Sequence, residues 1–139
     1  MKRQGLLNAP LAKLIAELGH TDTLVIADAG LPIPPGVPRV DLALRPGLPG
    51  FLEVFDALSG ELCVEEATLA SEMLEASPDL HAQLEARLAA LEVRDGVTLG
   101  RTRVAHEDFK RLLPSARAVV RTGECTPFAN VVLHSGVPF

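Results

Sequence analysis

The sequence has no tyrosine or tryptophan and only five phenylalanines among its 139 residues. Proteins that bind single-stranded nucleic acid stack bases on aromatic rings, so this shortage disfavours that class. The formal net charge is −5, and the 13 lysines and arginines are scattered without forming a basic stripe. A surface that follows a phosphate backbone is therefore not expected, and we predict no nucleic-acid partner.

Cysteines are also few, and long apolar runs are missing. Cys63 and Cys125 lie far apart, share no metal-ligand spacing with a pair of histidines, and are expected to be reduced thiols. No segment approaches the ~18–20 apolar residues of a membrane span. Lys13 and Glu17 interrupt the apolar segment near the start of the chain, and its apolar residues recur at helical spacing. A signal peptide would have an unbroken apolar segment there. The sequence therefore predicts a soluble, cytoplasmic protein without a membrane partner.

Three common signatures of catalysis are absent as well. The chain has no phosphate-binding glycine loop, no His-X-X-X-His pair and no serine nucleophile elbow. Nucleotide-dependent enzymes and serine hydrolases are therefore disfavoured. A length of 139 residues without a break in composition predicts one domain that spans residues 1–139.

The apolar periodicity predicts an alternation of strands and helices along this domain. Asn8 is expected to cap the first helix, which has Pro10 near its start and ends at Gly19. The remaining helices are predicted at Pro49–Leu58, Ala67–Ala76, Ser77–Glu92 and His106–Leu113. Strands are predicted at Thr23–Ala27, Arg39–Leu44, Glu61–Glu66, Val97–Ala105, Ala116–Thr122 and Asn130–His134. This order favours an α/β domain with a sheet covered on both faces.

Polar residues flank the first predicted strand. His20 precedes Thr23–Ala27, and Asp28 follows it. Ligands of α/β proteins usually bind at the carboxyl ends of strands, which makes Asp28 a candidate. A histidine and an aspartate at the two ends of one strand need not meet, so the spacing alone is a weak indication of a site.

The other three histidines occupy different settings. His81 lies on the charged face of a predicted helix and is expected to be solvated. His134 lies among apolar residues of the last strand, where we expect a buried structural histidine or an interface residue. His106 begins a short helix, and its simplest interpretation is a structural residue next to the N-terminal cap of that helix. The segment 121–130 is, taken alone, an ordinary connecting loop.

Four motifs taken together resemble the ribose pyranase and fucose mutarotase family. They are Gly19-His20-Thr21-Asp22-Thr23, Asp28-Ala29-Gly30-Leu31-Pro32-Ile33-Pro34, His106-Glu107 with Phe109-Lys110, and Arg121-Thr122-Gly123-Glu124-Cys125-Thr126-Pro127-Phe128-Ala129-Asn130. The likeness covers nearly the whole chain, from Asn8 to Phe139. The resemblance implies a single-domain, three-layer α/β/α sandwich around a mixed, mostly parallel sheet.

The resemblance also implies an activity and a set of site residues. The activity is cofactor-free interconversion of the β-pyranose and β-furanose forms of D-ribose, with His20 as the proton donor. The implied sugar-binding residues are Asp28, His106, Lys110, Phe128, Ala129 and Asn130. The family forms rings of subunits with sugar sites at subunit boundaries, which implies a homo-oligomer, a ring-shaped pentamer or a decamer.

One residue departs from the family pattern. Phe128 occupies the position where the family usually has tyrosine. Phenylalanine keeps a flat face for the sugar but lacks the hydroxyl, and a neutral hydrogen bond contributes ~0.5–1.5 kcal/mol net. We therefore expect weaker binding or a changed sugar preference rather than a loss of activity.

Three other interpretations stay open at this point. The chain could be a mutarotase for fucose or another sugar, although Asp28-Ala29-Gly30-Leu31-Pro32 is closer to the ribose branch. It could bind a sugar without turnover, although an intact His20 argues against that. A metal site built from His20, Asp28 and His106 would need the three to converge at ~2.0–2.2 Å from one ion. It is the least favoured of the three, and we predict no metal.

Overall fold

A computed structural model describes residues 1–139 as helices packed on both faces of a six-stranded sheet. The helices are α1 (Ala9–Glu17), α2 (Phe51–Ser59), α3 (Glu72–Ala76), α4 (Pro78–Asp95) and α5 (His106–Leu112), followed by a 3₁₀ turn (Leu113–Ser115). The strands are β1 (Thr23–Ala27), β2 (Arg39–Asp41), β3 (Val64–Ala70), β4 (Gly100–Val104), β5 (Ala118–Arg121) and β6 (Val131–Ser135).

The sheet is mixed, with strand order β2-β5-β1-β6-β3-β4. The pairs β1–β5, β2–β5 and β3–β4 are parallel, whereas β6 runs antiparallel to both β1 and β3. All strands except β6 therefore point the same way, and their carboxyl ends share one edge of the sheet. The predicted mixed, mostly parallel sheet is confirmed.

The two faces of the sheet are covered by separate clusters of apolar side chains. Leu24 and Ile26 of β1 face a large cluster with α1, α2 and α4, whereas Val25 and Ala27 face a smaller one with α5. This alternation follows from the two-residue period of a strand. All four side chains are fully buried, as expected for a central strand covered on both sides. The predicted three-layer arrangement is confirmed.

The start of α1 forms as predicted, but its end does not. The side chain of Asn8 accepts a hydrogen bond of 3.0 Å from the backbone N–H of Leu11, as an N-cap residue does. At the other end, the helix stops at Glu17 with Leu18 as its cap, and Gly19 is not the terminating residue. The left-handed residue of the following turn is Thr21, at φ 67°.

The largest error of the sequence prediction lies around β3. The predicted strand Glu61–Glu66 and helix Ala67–Ala76 are instead a strand at Val64–Ala70 followed by the short helix Glu72–Ala76. Ala67–Ala70 are buried between the two helical layers, and pairing with β4 and β6 determines their conformation. Short apolar segments of this kind are compatible with either state until their neighbours are known.

Candidate active site

The candidate site residues form two groups at opposite edges of the sheet. His20 comes before the first residue of β1, and Asp28 comes after its last. A strand rises about 3.3 Å per residue, so the five residues of β1 alone separate the two edges by roughly 16 Å. One copy of the chain therefore does not bring His20 to Asp28. The other candidates, except Lys110, gather around Asp28.

A cleft of about 240 Å³ opens at the carboxyl edge of the sheet. Its walls come from the loop after β1, the first residue of α5 and the loop before β6. The lining residues are Asp28, Gly30, Leu31, Pro32, His106, Pro127 and Phe128. Three of the candidates predicted from sequence therefore line one cleft.

Asn130 holds Asp28 in place at the base of this cleft. The Asn130 side chain is fully buried; its Nδ2 donates to Asp28 Oδ2 at 3.0 Å. Its Oδ1 accepts from the Asp28 backbone N–H at 2.9 Å. The second carboxylate oxygen of Asp28 accepts from the backbone N–H groups of Gly30 and Leu31, at 2.9 and 2.8 Å. Both oxygens are thus oriented by the chain, and three of the roughly four acceptor sites of the carboxylate are used, which leaves a site on Oδ2 to accept from a hydroxyl group.

The segment before β6 contains a second left-handed residue. Phe128 has φ 60°, a conformation that costs an L-residue roughly 1–2 kcal/mol. The turn is closed by a 2.8 Å hydrogen bond from the Asn130 backbone N–H to the Phe128 carbonyl. Ala129 is fully buried in the large apolar cluster, so its side chain packs in the core rather than in the cleft. The turn thereby leaves Phe128 half-buried while it buries the two residues that follow, Ala129 and Asn130.

His106 is fixed by contacts on both its backbone and its ring. Its backbone N–H donates to both carboxylate oxygens of Glu72, at 3.0 Å each. This bond from the His106 backbone holds the pKa of Glu72 below its usual range. The imidazole lies edge-on to Phe128 with centroids 5.0 Å apart, and parallel to Phe109 at 6.4 Å. The buried Nδ1 has no hydrogen-bond partner.

Lys110 lies one helical turn after His106 but does not line the cleft. Its Nζ is 2.7 Å from Glu107 Oε1. This pairing holds the pKa of Glu107 below its usual range. A sugar that reached Lys110 would therefore compete with Glu107 for the ammonium group.

At the opposite edge of the sheet, His20 is exposed and makes one side-chain contact. Its Nε2 lies 2.9 Å from Oε2 of Glu65 on β3. The two side chains are 55% and 42% exposed, so the pair is open to solvent or to a bound molecule. Sequence reasoning found His20 and missed Glu65, because the two residues are 45 positions apart.

The Glu124 carboxylate connects the cleft loop to helix α2, and sequence reasoning assigned it no role. It accepts from the Thr126 hydroxyl at 2.7 Å, from the Thr126 N–H at 3.1 Å and from the Phe51 N–H at 3.1 Å. The Glu124 carbonyl accepts from the N–H of Ala29, the residue after Asp28, at 2.8 Å. Burial alone would raise the pKa of Glu124, but these hydrogen bonds to its carboxylate lower it below the usual range.

Glu124→Gln is expected to lower the melting temperature at about pH 7 and to have less effect at about pH 3. A carboxyl whose pKa is lower in the folded state stabilises the fold above its unfolded-state pKa of about 4.3. That stabilisation is lost as the pH falls through the folded-state pKa, so the wild type loses its advantage in acid. Thermal unfolding followed by circular dichroism at both pH values checks this. An equal loss at the two pH values would contradict it.

The structure corrects the prediction for His81 and narrows the one for His134. His81 was expected to be solvated, but it is 7% exposed and packs beside Glu85 and Arg103. Arg103 comes from the neighbouring strand β4, which covers this face of α4. His134 is half-buried, and its Nε2 lies 3.2 Å from the Thr68 hydroxyl, as expected for a structural histidine.

No group of three histidine, cysteine, aspartate or glutamate side chains is arranged to hold a metal ion. No helix has both the length and the apolar character that a membrane crossing requires.

Comparison with known proteins identifies the family. The sequence profile of the RbsD / FucU transport protein family matches residues 1–138. The chain belongs to this family. Among its relatives, the D-ribose pyranase of Laribacter hongkongensis is 52% identical over 139 residues, and that of Vibrio vulnificus 50%, each covering all of both chains. The resemblance found in the four sequence motifs is thus confirmed.

Solved structures of RbsD / FucU proteins show the same fold. The structure of Bacillus subtilis RbsD complexed with D-ribose matches with a TM-score of 0.91 and 44% identity, covering 100% of both chains. The fucose mutarotase of Streptococcus pneumoniae, in complex with L-fucose, matches with a TM-score of 0.77 and 22% identity over 94% of each chain. The second likeness concerns the fold alone.

Proposed function

We propose that the protein is an isomerase that interconverts the pyranose and furanose forms of D-ribose. The observation that carries this proposal is the identity to D-ribose pyranases, about one half over the full length, in a chain whose carboxyl-edge cleft is lined by Asp28 and His106. The 44% identity to Bacillus subtilis RbsD, whose structure holds D-ribose, supports the same substrate.

The reaction needs proton transfers and no redox step. The hemiacetal opens when the anomeric hydroxyl loses a proton and the ring oxygen gains one, and the open aldehyde is then recaptured by a different hydroxyl. Histidine can give and take protons near neutral pH because its ordinary pKa is about 6.5. In this proposal His20 is the acid–base group. Asp28, His106 and Phe128 bind the sugar in the cleft, and the segment 129–130 supports them through its backbone and the Asn130 amide. Lys110 joins them by exchanging its contact with Glu107 for one with the sugar.

The separation of His20 from Asp28 implies that two copies of the chain complete each site. Within one copy the two residues lie at opposite edges of the sheet, and β1 alone separates those edges by roughly 16 Å. Two copies that meet edge to edge would place His20 of one beside the cleft of the other. Such a head-to-tail contact forms a ring when its rotation closes and an open filament when it does not. We propose a closed ring; the family resemblance implies a pentamer or a paired decamer, and native mass spectrometry would count the subunits.

The substrate is tested by NMR magnetisation transfer between the pyranose and furanose signals of D-ribose. Catalytic amounts of protein should speed the exchange strongly over buffer alone. A parallel sample with L-fucose separates the alternatives. Exchange of fucose anomers without ribose exchange would identify a fucose mutarotase. Saturable ribose binding by calorimetry without exchange would identify a binding module.

The shared site is tested by co-expressing two inactive variants, His20→Ala and Asp28→Ala. In a random mixed ring, about a quarter of the sites combine an intact His20 with an intact Asp28 from the neighbouring copy. The mixture should therefore recover roughly that fraction of wild-type exchange, while each variant alone stays near the background. A mixture as inactive as its components would show that each site lies within one chain.

Phe128→Tyr is expected to tighten ribose binding. The Phe128 ring lines the cleft, so a hydroxyl on it can reach the sugar and contribute ~0.5–1.5 kcal/mol. This corresponds to a KM lower by about two- to tenfold. Exchange rates measured over a range of ribose concentrations check this value. An unchanged KM, with the melting temperature of the wild type, would show that the ring edge does not face the sugar.

A further inference from the structure

We propose that Glu65 is a positioning residue that holds the His20 imidazole by its Nε2–H and leaves Nδ1 as the atom that exchanges protons with the sugar. The inference rests on the proposed role of His20. It starts from the 2.9 Å contact between His20 Nε2 and Glu65 Oε2. Three features of the backbone place these two side chains together.

The first feature is an irregularity in β3 at Glu65. In the antiparallel pairing with β6, Val64 lies opposite Ser135 and Glu66 lies opposite His134, so Glu65 is an extra residue. Val64 and Ala67 both face the large apolar cluster although they are three positions apart. An odd spacing on one face requires a bulge, and bulges redirect side chains near functional sites. The bulge therefore determines the position of Glu65, and the regular alternation of the strand does not.

The second feature is the residue that packs against Glu65. A Cβ on Gly136 would lie 3.3 Å from the Cβ of Glu65 and 3.7 Å from its Oε2. The backbone N–H of Gly136 also donates to the Cys63 carbonyl at 2.9 Å, which fixes the strand end beside the bulge. A glycine at this position therefore lets the Cβ of Glu65 pack closely against the end of β6, whereas the carboxylate would stay at ordinary contact distance.

The third feature is the strained turn that carries His20. Thr21 has φ 67°, and a β-branched residue in the left-handed region is a conformational outlier. Its N–H donates to the Ser135 carbonyl at 2.8 Å, and the Ser135 N–H donates to the Asp22 carbonyl at 2.8 Å. The turn that carries His20 and the strand segment next to Glu65 are thus both hydrogen-bonded to the end of β6. Strain held by such surrounding bonds is found mainly at functional sites.

The chemical consequence is a fixed tautomer of His20. A carboxylate only accepts hydrogen bonds, so the ring nitrogen beside it carries the proton. In the neutral imidazole the other nitrogen, Nδ1, is then the acceptor. Nδ1 is the atom able to take the proton from the anomeric hydroxyl and pass it to the ring oxygen as the ring C–O bond breaks. At ring closure it takes the proton of the attacking hydroxyl and passes it to the aldehyde oxygen. Without Glu65 the ring would sample both tautomers and other rotamers.

The tautomer is tested directly by NMR of protein with ¹⁵N-labelled histidine, with the pH raised until the His20 ring nitrogen signals no longer change. In the wild type we expect a pyrrole-like Nε2 and a pyridine-like Nδ1 for His20. In Glu65→Ala we expect averaged signals from both tautomers. Signals for His20 that are the same in both proteins would overturn the proposal, whatever the activity.

Kinetics provide the second readout. Glu65→Ala should lower kcat about ten- to a hundredfold while KM changes by less than about threefold, because the acid–base group is misoriented but the cleft is intact. Glu66→Ala is the matched control, since Glu66 is the next carboxylate on β3 and bonds the Thr102 hydroxyl at 2.6 Å. Its exchange rate should equal that of the wild type.

The remaining outcomes are equally decisive. A raised KM with an unchanged kcat in Glu65→Ala would make Glu65 a sugar-binding residue and overturn its positioning role. An equal loss of kcat in Glu66→Ala would show that the loss in Glu65→Ala comes from disturbing the fold of β3, and would overturn the positioning role of Glu65. If His20→Ala kept full exchange, the proposed function of His20 would fail, while the tautomer measurement would still decide whether Glu65 orients the ring.

Discussion

His20→Ala is expected to slow pyranose–furanose exchange of D-ribose about 10²–10⁴-fold, the usual contribution of a positioned acid–base group. The fold should be unaffected, because the side chain is 55% exposed and its one contact is with the exposed Glu65. NMR magnetisation transfer measures the exchange, and thermal unfolding measures the stability. Ribose binding by calorimetry should stay within about tenfold of the wild type, since the residues that line the cleft around Asp28 are unchanged in this variant.

Added imidazole offers a control for this variant. The exposed position of His20 leaves room for a small molecule in its place, so imidazole should restore part of the lost exchange. The restored rate should rise with imidazole concentration in His20→Ala and not in Asp28→Ala. Exchange at the wild-type rate in His20→Ala without imidazole would disprove the acid–base role.

Asn130→Ala is expected to lower the free energy of unfolding by about 2–4 kcal/mol and to raise KM for ribose. The Asn130 amide is fully buried and makes two bonds to Asp28, one to its backbone N–H and one to its carboxylate. Alanine leaves that N–H unpaired and a void in the core, and it frees the carboxylate to rotate away from the sugar. Urea unfolding gives the stability, and ribose-dependent exchange gives KM.

Asn130→Asp tests the hydrogen-bond donor of the Asn130 amide separately from its acceptor. The variant keeps an oxygen for the Asp28 N–H but places a second carboxylate where Nδ2 now lies 3.0 Å from Asp28 Oδ2. Two carboxylates this close cannot both ionise without a penalty, so its stability should fall further between about pH 4 and about pH 7. A pH-independent loss in Asn130→Asp would contradict this account of the Asp28–Asn130 pair.

The sequence was sufficient where structure depends on nearby residues. The cap at Asn8 and the buried strand Thr23–Ala27 form as predicted, because capping and alternation act over a few positions. The prediction failed where strands that are distant in sequence determine the local structure. Ala67–Ala70 became a strand because β4 and β6 pair with it, and His81 became buried because β4 packs over α4.

The same distinction applies to the candidate site. Family motifs pointed to His106, Phe128 and Asp28, which line one cleft, whereas periodicity and spacing gave only weak indications of a site. The carboxylates that fix the site, Glu65 and Glu72, come from other elements and were not predicted. They lie 45 and 34 positions from the histidines they contact, and no local pattern encodes such a pairing. The separation of His20 from Asp28 likewise follows only from the length and direction of β1.

The position of β6 has a consequence for how the protein is made. β6 is the last strand of the chain, yet it lies between β1 and β3 in the middle of the sheet. Until Val131–Ser135 have emerged from the ribosome, β2-β5-β1 and β3-β4 remain two separate pieces without a shared backbone ladder. Assembly of the sheet therefore has to wait until β6 has been synthesised, and the pieces expose unpaired edges until then. Ribosome-bound chains stalled before Val131 should be digested readily by protease, whereas released chains resist it.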